Sequence, residues 1–181
     1  VKNVFLWLWM KWEKLYERIA GIVYISDENI FRIALKRYHG KNIELSDGTL
    51  LKKGDEYIEL HLNNKLATSV LKDMSPLSML KWVKSSLYGL AQFVKNEPYV
   101  RADVMMGLTI FGIKGIERFG FEIVELNKVE SFLVSIYEGF LYAIFHGKTK
   151  ALYSKNQAKK FKARRILMSR KVLLELYGDA R

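Results

Sequence analysis

The stretch from Ile30 to Asn64 constrains the fold most, because short β-prone runs alternate there with tight-turn signals. Ile30 to Tyr38 is rich in Ile, Phe and Tyr and is closed by His39-Gly40-Lys41-Asn42, a turn sequence. Ile43-Glu44-Leu45 then meets Ser46-Asp47-Gly48-Thr49, whose Asp-Gly pair favours a hairpin because glycine accepts a positive φ cheaply. Lys53-Gly54-Asp55 makes a second turn before Tyr57 to Leu62. Strands joined this tightly pair antiparallel, since a parallel pair needs a long crossover. The expected fold class is α+β, an antiparallel sheet packed by helices.

In the last of these strands, period two puts Ile58, Leu60 and Leu62 on one side and Tyr57, Glu59 and His61 on the other. Asn63-Asn64 closes it. Ser75-Pro76 then supplies a capping residue and a proline at the first helical position, where its missing N–H costs nothing. Leu77, Leu80, Val83, Leu87, Leu90, Ala91 and Val94 continue one apolar stripe to Asn96, and Pro98 stops it. Val104 to Phe111 reads as a strand, Ile113 to Phe119 as a short helix ended by Gly120, and Phe121 to Glu125 as another strand. That unit implies a local crossover, with a connector very short for a parallel pair. Val129, Phe132, Leu133, Ile136, Phe140 and Ile144 have the spacing of a central core helix, and Ile166 to Tyr177 adds a last strand or helix.

The amino-terminal segment places Phe5, Leu8, Trp9, Trp12, Leu15, Tyr16 and Ile19 on one helix face, ending near Gly21. Leu6, Trp7 and Met10 make the opposite face of its first turns apolar as well. Two readings stay open. The helix either packs in a groove of its own domain, or it serves as an interfacial anchor or a homo-oligomer contact, since tryptophans beside lysines favour a membrane–water boundary.

At 181 residues the chain suits a single domain over 1–181, large enough to fold without disulfides or a structural metal. It has no cysteine, which excludes disulfide scaffolds, thiolate zinc sites, iron–sulfur centres and cysteine nucleophiles. No apolar run reaches the ~18 residues a transmembrane helix requires. The run from Val4 to Met10 is too short for a signal peptide, so the chain reads as mature and cytoplasmic, with peripheral membrane contact as the variant.

The formal charge is +11, from 30 Lys and Arg against 19 Asp and Glu. Its distribution is uneven. Lys148, Lys150, Lys155, Lys159, Lys160, Lys162, Arg164, Arg165, Arg170 and Lys171 fall in one stretch without a carboxylate, and the other 157 positions hold 20 basic and 19 acidic residues. A nearly neutral body carrying one basic segment points to an anionic partner, an envelope polymer, lipid head groups or nucleic acid, although a charged loop serves solubility equally well. Lys159, Lys160, Lys162, Arg164 and Arg165 are its densest part. Only Tyr153 and Phe161 interleave, too sparsely for a base-stacking platform.

Familiar catalytic signatures are missing. His39, His61 and His146 are far apart, with no His-x-x-x-His pair, and neither glycine-rich phosphate loop nor nucleophile elbow occurs, so no metal or cofactor is expected. The best chemical candidate is Glu59 with His61, because alternate strand positions share a face and a carboxylate there orients an imidazole for proton transfer. The same pair is also what an ordinary polar strand face carries.

The run Leu45-Ser46-Asp47-Gly48-Thr49-Leu50-Leu51-Lys52-Lys53-Gly54-Asp55-Glu56-Tyr57-Ile58-Glu59-Leu60-His61-Leu62-Asn63-Asn64 resembles the YkoP-like domain family of bacilli and relatives. Gly107-Leu108-Thr109, Arg118-Phe119-Gly120-Phe121-Glu122-Ile123 and Met168-Ser169-Arg170 support it, covering most of the chain from Phe31 onward. The family has no assigned activity. Its occurrence joined to polysaccharide-deacetylase-like domains implies an envelope or carbohydrate context, but the deacetylase metal-binding motifs are absent from this sequence. The resemblance makes Glu59, His61 and Asn63 family-motif residues, while turn geometry accounts for Asp47, Gly48, Gly54 and Asp55. The expected role is a non-enzymatic binding or accessory protein using its basic segment on an anionic partner. A small enzyme built on Glu59 and His61, acting on a carbohydrate or other small substrate, and a nucleic-acid-binding protein are the alternatives.

Overall fold

A computed structural model of the chain describes residues 11, 19–63, 66, 75–109, 115–126 and 164–179. The first apolar helix with Leu6, Trp7 and Met10, the core helix expected from Val129 to Ile144, His146, and Lys159, Lys160 and Lys162 lie outside the described residues. Of the first helix, Ile19 and Ala20 are helical and Gly21 follows at φ 66°, the conformation expected of its end.

Turn chemistry fixes the first half of the fold. Strand β1 (Val23–Tyr24) pairs antiparallel with β2 (Phe31–Arg37), and β3 (Ile43–Glu44) with β4 (Leu50–Leu51) in a separate two-stranded sheet. The turn inside that hairpin places Gly48 at φ 83°, and the next turn places Gly54 at φ 99°. Strand β5 (Glu56–Leu62) returns beside β2 in register from Phe31↔Leu62 to Arg37↔Glu56.

The sheet is mixed, which corrects the antiparallel expectation. After β5 the chain passes through helix α1 (Pro76–Phe93) before entering β6 (Val104–Thr109), and β6 pairs parallel with β5. A helix long enough to recross the sheet returns the chain to the end where β5 began, the condition for a parallel pair. Strand β7 (Glu122–Glu125) runs parallel to β6 without touching it. Strand β8 (Arg164–Ser169) sits between them, antiparallel to both, giving the order β1-β2-β5-β6-β8-β7. The short connector puzzle dissolves because the two strands are not neighbours.

One face carries the main core. Phe31, Ile33, Ile58, Leu60, Met105, Ile166 and Met168 pack against Leu87, Leu90, Ala91 and Val94 of α1 and against Leu173 and Tyr177 of helix α2 (Arg170–Tyr177). Ser75 caps α1 by accepting from the Ser78 N–H, with Pro76 in the first turn as the sequence demands. Its apolar stripe reaches the core only from Val83 onward, since Leu77 and Leu80 are exposed. Leu62 is exposed too, so the apolar side of β5 ends at Leu60. A buried polar link ties sheet to helix: Asn29 Nδ2 donates to the Ser86 carbonyl, and the Ile30 N–H donates to Ser86 Oγ.

The other face holds a smaller core, where the β3–β4 hairpin lies over the sheet. Tyr38, Leu45, Leu51, Val104, Met106 and Leu167 form it. It covers the end of the sheet where β5 and β6 begin. The end where they finish, and where β8 starts, bears the candidate site.

Candidate functional site

Strand alternation delivers Glu59 and His61 to the hairpin-side face, and His61 Nε2 lies 3.1 Å from Glu59 Oε2. Their side chains are half-buried, 21% exposed for His61 and 31% for Glu59. The hydrogen bond from His61 holds the Glu59 carboxyl below its ordinary range; burial opposes this, and the His61 and Lys36 charges assist it. In the neutral ring, the tautomer that donates from Nε2 to Glu59 leaves Nδ1 as the acceptor. The two side chains thus meet on one strand face.

Neighbouring strands extend this row. Arg32 of β2 stands opposite His61. Arg32 is buried, its Nε and Nη2 donating to the Leu62 carbonyl at 3.1 and 2.9 Å, and its guanidinium lies 5.5 Å from the Tyr24 ring centre. On β6, one residue beyond the Leu60–Gly107 pair, Leu108 continues the row, and Arg165 of β8 is the register partner of Leu108. Two strand spacings thus separate the His61 and Arg165 backbones, about 10 Å. Arg164 is exposed on the opposite face, opposite Glu125 of β7 in register. Arg164 and Arg165, read from sequence as part of a charged segment, are strand residues paired on both sides.

Asn63, the remaining binding candidate, is buried and structural in its contacts. Its N–H donates to the Ile30 carbonyl at 2.7 Å, and its Oδ1 accepts from the Leu66 N–H. Among the described residues no group of three or more His, Asp and Glu side chains is placed to hold a metal ion, and no helix is long and apolar enough to cross a membrane. A cleft of about 200 Å³ lined by Leu50, Leu51, Asp55, Glu56, Arg101, Asp103 and Val104 opens at the other end of the sheet, away from Glu59 and His61.

The YkoP domain matches residues 2–177, nearly the whole chain. The chain belongs to the YkoP domain family. The uncharacterized protein YkoP of Bacillus subtilis (strain 168) is 26% identical over 132 residues, spanning 68% of this chain and 72% of that protein. No solved structure matches.

In this YkoP domain the separate stretches that carry the family resemblance meet in space. Ser46 donates to Glu122 Oε1 through its N–H at 2.8 Å and its hydroxyl at 2.6 Å. Ser169 Oγ donates to Asp47 Oδ2 at 2.6 Å. Turn geometry therefore explains half of Asp47: its Oδ1 accepts from the Thr49 N–H, but its other oxygen fastens the hairpin to β8. Burial pushes the Asp47 carboxyl up, and the hydrogen bonds from Ser169 and Thr49 with the Lys171 charge outweigh this, leaving it below the ordinary carboxylate range. Gly107 passes under Leu60, where a Cβ would come 3.2 Å from the Leu60 Cβ and carbonyl oxygen. No sequence spacing signals the Ser46–Glu122 and Asp47–Ser169 contacts; only their membership of the resembling stretches hints at them.

Proposed function

We propose that this YkoP-domain protein is a non-enzymatic binding or accessory protein that meets an anionic partner at the end of the sheet where β8 begins. The observation carrying this reading is the position of Arg164 and Arg165 at the first two residues of β8, with Arg165 on the same face as His61. The six lysines between Lys148 and Ala163, in a run without a carboxylate, are covalently continuous with Arg164. A carboxylate-free run of cations in the sequence raises the local concentration of polyanions. Polyglycerol phosphate is a suitable probe, because it presents the repeating phosphodiester of an envelope polymer without a lipid or a base. Titration at low salt should give saturable binding that weakens as salt rises. Saturable binding that ignores salt, or none at all, refutes the reading.

A second reading is a small enzyme, favoured by the 3.1 Å contact between His61 and Glu59. Glu59 orients the ring and Nδ1 takes the proton from a carbohydrate hydroxyl or a water. Turnover of glycan oligomers by the full chain, lost in His61→Gln with folding intact, would support it. Equal rates in the two proteins remove it.

A further inference from the structure

We propose that Asp47 and Gly48 form a latent isoaspartate site, held closed in the folded chain by the hydrogen bond from Ser169. An aspartate followed by glycine is prone to this self-modification, because glycine has no side chain to shield its backbone nitrogen from the neighbouring carboxyl. In the β3–β4 turn nothing else supplies a shield: Gly48 is exposed, and a Cβ built on it would have nothing within 4 Å. The reaction needs only water. The Gly48 nitrogen attacks Asp47 Cγ, its proton and the carboxyl hydroxyl leave as water, and a five-membered succinimide closes. Water then opens the ring at either carbonyl. Opening at the main-chain carbonyl leaves the peptide running through Cγ, with one methylene added to the turn and no net change in mass or oxidation state.

The docked hairpin opposes each step. Asp47 Oδ1 accepts from the Thr49 N–H at 3.0 Å and Oδ2 from Ser169 Oγ at 2.6 Å, so the carboxyl cannot rotate without giving up a bond. The ring closes from the neutral acid, since an ionised carboxylate has no hydroxyl to lose, and a hydroxyl donating to Oδ2 favours the ionised form. Burial raises the Asp47 carboxyl, but the Ser169 and Thr49 hydrogen bonds with the Lys171 charge hold it below its ordinary range. The Gly48 N–H is itself engaged, donating to the Leu45 carbonyl at 2.9 Å, and the Leu45 N–H donates to the Thr49 carbonyl at 2.9 Å. Of these hydrogen bonds, the one from Ser169 alone reaches in from outside the turn, across 122 residues. It exists only while the hairpin lies on β8. Local opening of the hairpin therefore releases the site, and Ser169 is its gate. Isomerisation in turn destroys the gate: the free carboxylate then sits directly on the α-carbon, one carbon short of Ser169.

The test follows isoaspartate in the full chain held warm at near-neutral pH, read from the tryptic peptide 42–52, in which the isomer separates by chromatography at unchanged mass. A synthetic peptide of the same residues sets the unrestrained rate. The folded chain should isomerise at least about tenfold more slowly than the peptide, and Ser169→Ala about tenfold faster than the parent. Because Ser169→Ala also loses a helix cap, Ser75→Ala, which removes the cap of α1 on the other face of the sheet, is the control and should stay within about twofold of the parent. The parent unfolded in guanidinium chloride should reach the peptide's rate, which keeps the gate testable should Ser169→Ala fail to fold. A folded parent as fast as the peptide, an unfolded parent as slow as the folded one, or a folded Ser169→Ala no faster than Ser75→Ala overturns the proposal.

Discussion

Ser169 Oγ and Asp47 Oδ2 share a 2.6 Å hydrogen bond across 122 residues of chain. The same hydroxyl accepts from the Val172 N–H at 3.0 Å and so caps α2. One side chain therefore locks the β3–β4 hairpin to the sheet and starts the last helix.

Removing that hydroxyl should cost more than either role alone. Ser169→Ala is expected to destabilise by about 2 kcal/mol, the sum of a lost cap and a lost charge-assisted hydrogen bond. Asp47→Asn should cost about 1 kcal/mol, and the double variant less than the two added. Urea unfolding of the four proteins measures the coupling, and strict additivity would contradict a direct bond.

Acid should weaken the fold through Asp47 and Glu59. Both carboxyls are held below their ordinary values of 3.8 and 4.5, so the folded protein binds their protons more weakly than the unfolded chain. Their stabilisation is complete above those values and is lost as pH falls through the lower folded ones. Unfolding followed from neutral to about pH 3 should show Asp47→Asn/Glu59→Gln less acid-sensitive than the parent. Parallel curves would contradict it.

Two glycines at similar φ should respond differently. Gly48 at φ 83° has nothing within 4 Å of a built Cβ, whereas at Gly120, φ 88°, a Cβ would lie 2.8 Å from Leu176 and 2.9 Å from Val172. Gly48→Ala should cost about 1 kcal/mol from backbone strain, and Gly120→Ala about 2 kcal/mol or more, because Val172 has few rotamers to yield. Thermal melts of both variants decide it, and equal losses would count against the packing described.

Duplex DNA serves as a calibrated polyanion whether or not nucleic acid is the partner. Engagement of about six cations predicts a log–log salt slope of roughly −5. A slope near zero would mean that the basic run does not act as a unit.

Legibility followed the range of the causes. Gly48, Gly54, Ser75 and Pro76 act on their immediate neighbours, so the hairpin, the second turn and the start of α1 could be read directly. The Glu59–His61 contact was legible for the same reason, since period two alone brings the side chains together. Pairing of β5 with β6 was not, because register between strands separated by a helix is set by packing, not by a turn. Nor was the insertion of β8 between β6 and β7, which turns Arg164 and Arg165 from loop charges into strand residues. Leu77 and Leu80 had the periodicity of core residues and lie outside the core, since period marks a helix face but not how far along it the sheet extends.

Position against bulk charge is the sharpest test of the proposed role. Arg164→Glu/Arg165→Gln and Lys52→Glu/Lys53→Gln remove the same charge from opposite ends of the sheet. The first should weaken binding of polyglycerol phosphate at least about tenfold while the second leaves it within about twofold. Equal weakening by the two, with both variants folded, would contradict an anion-binding end at the start of β8.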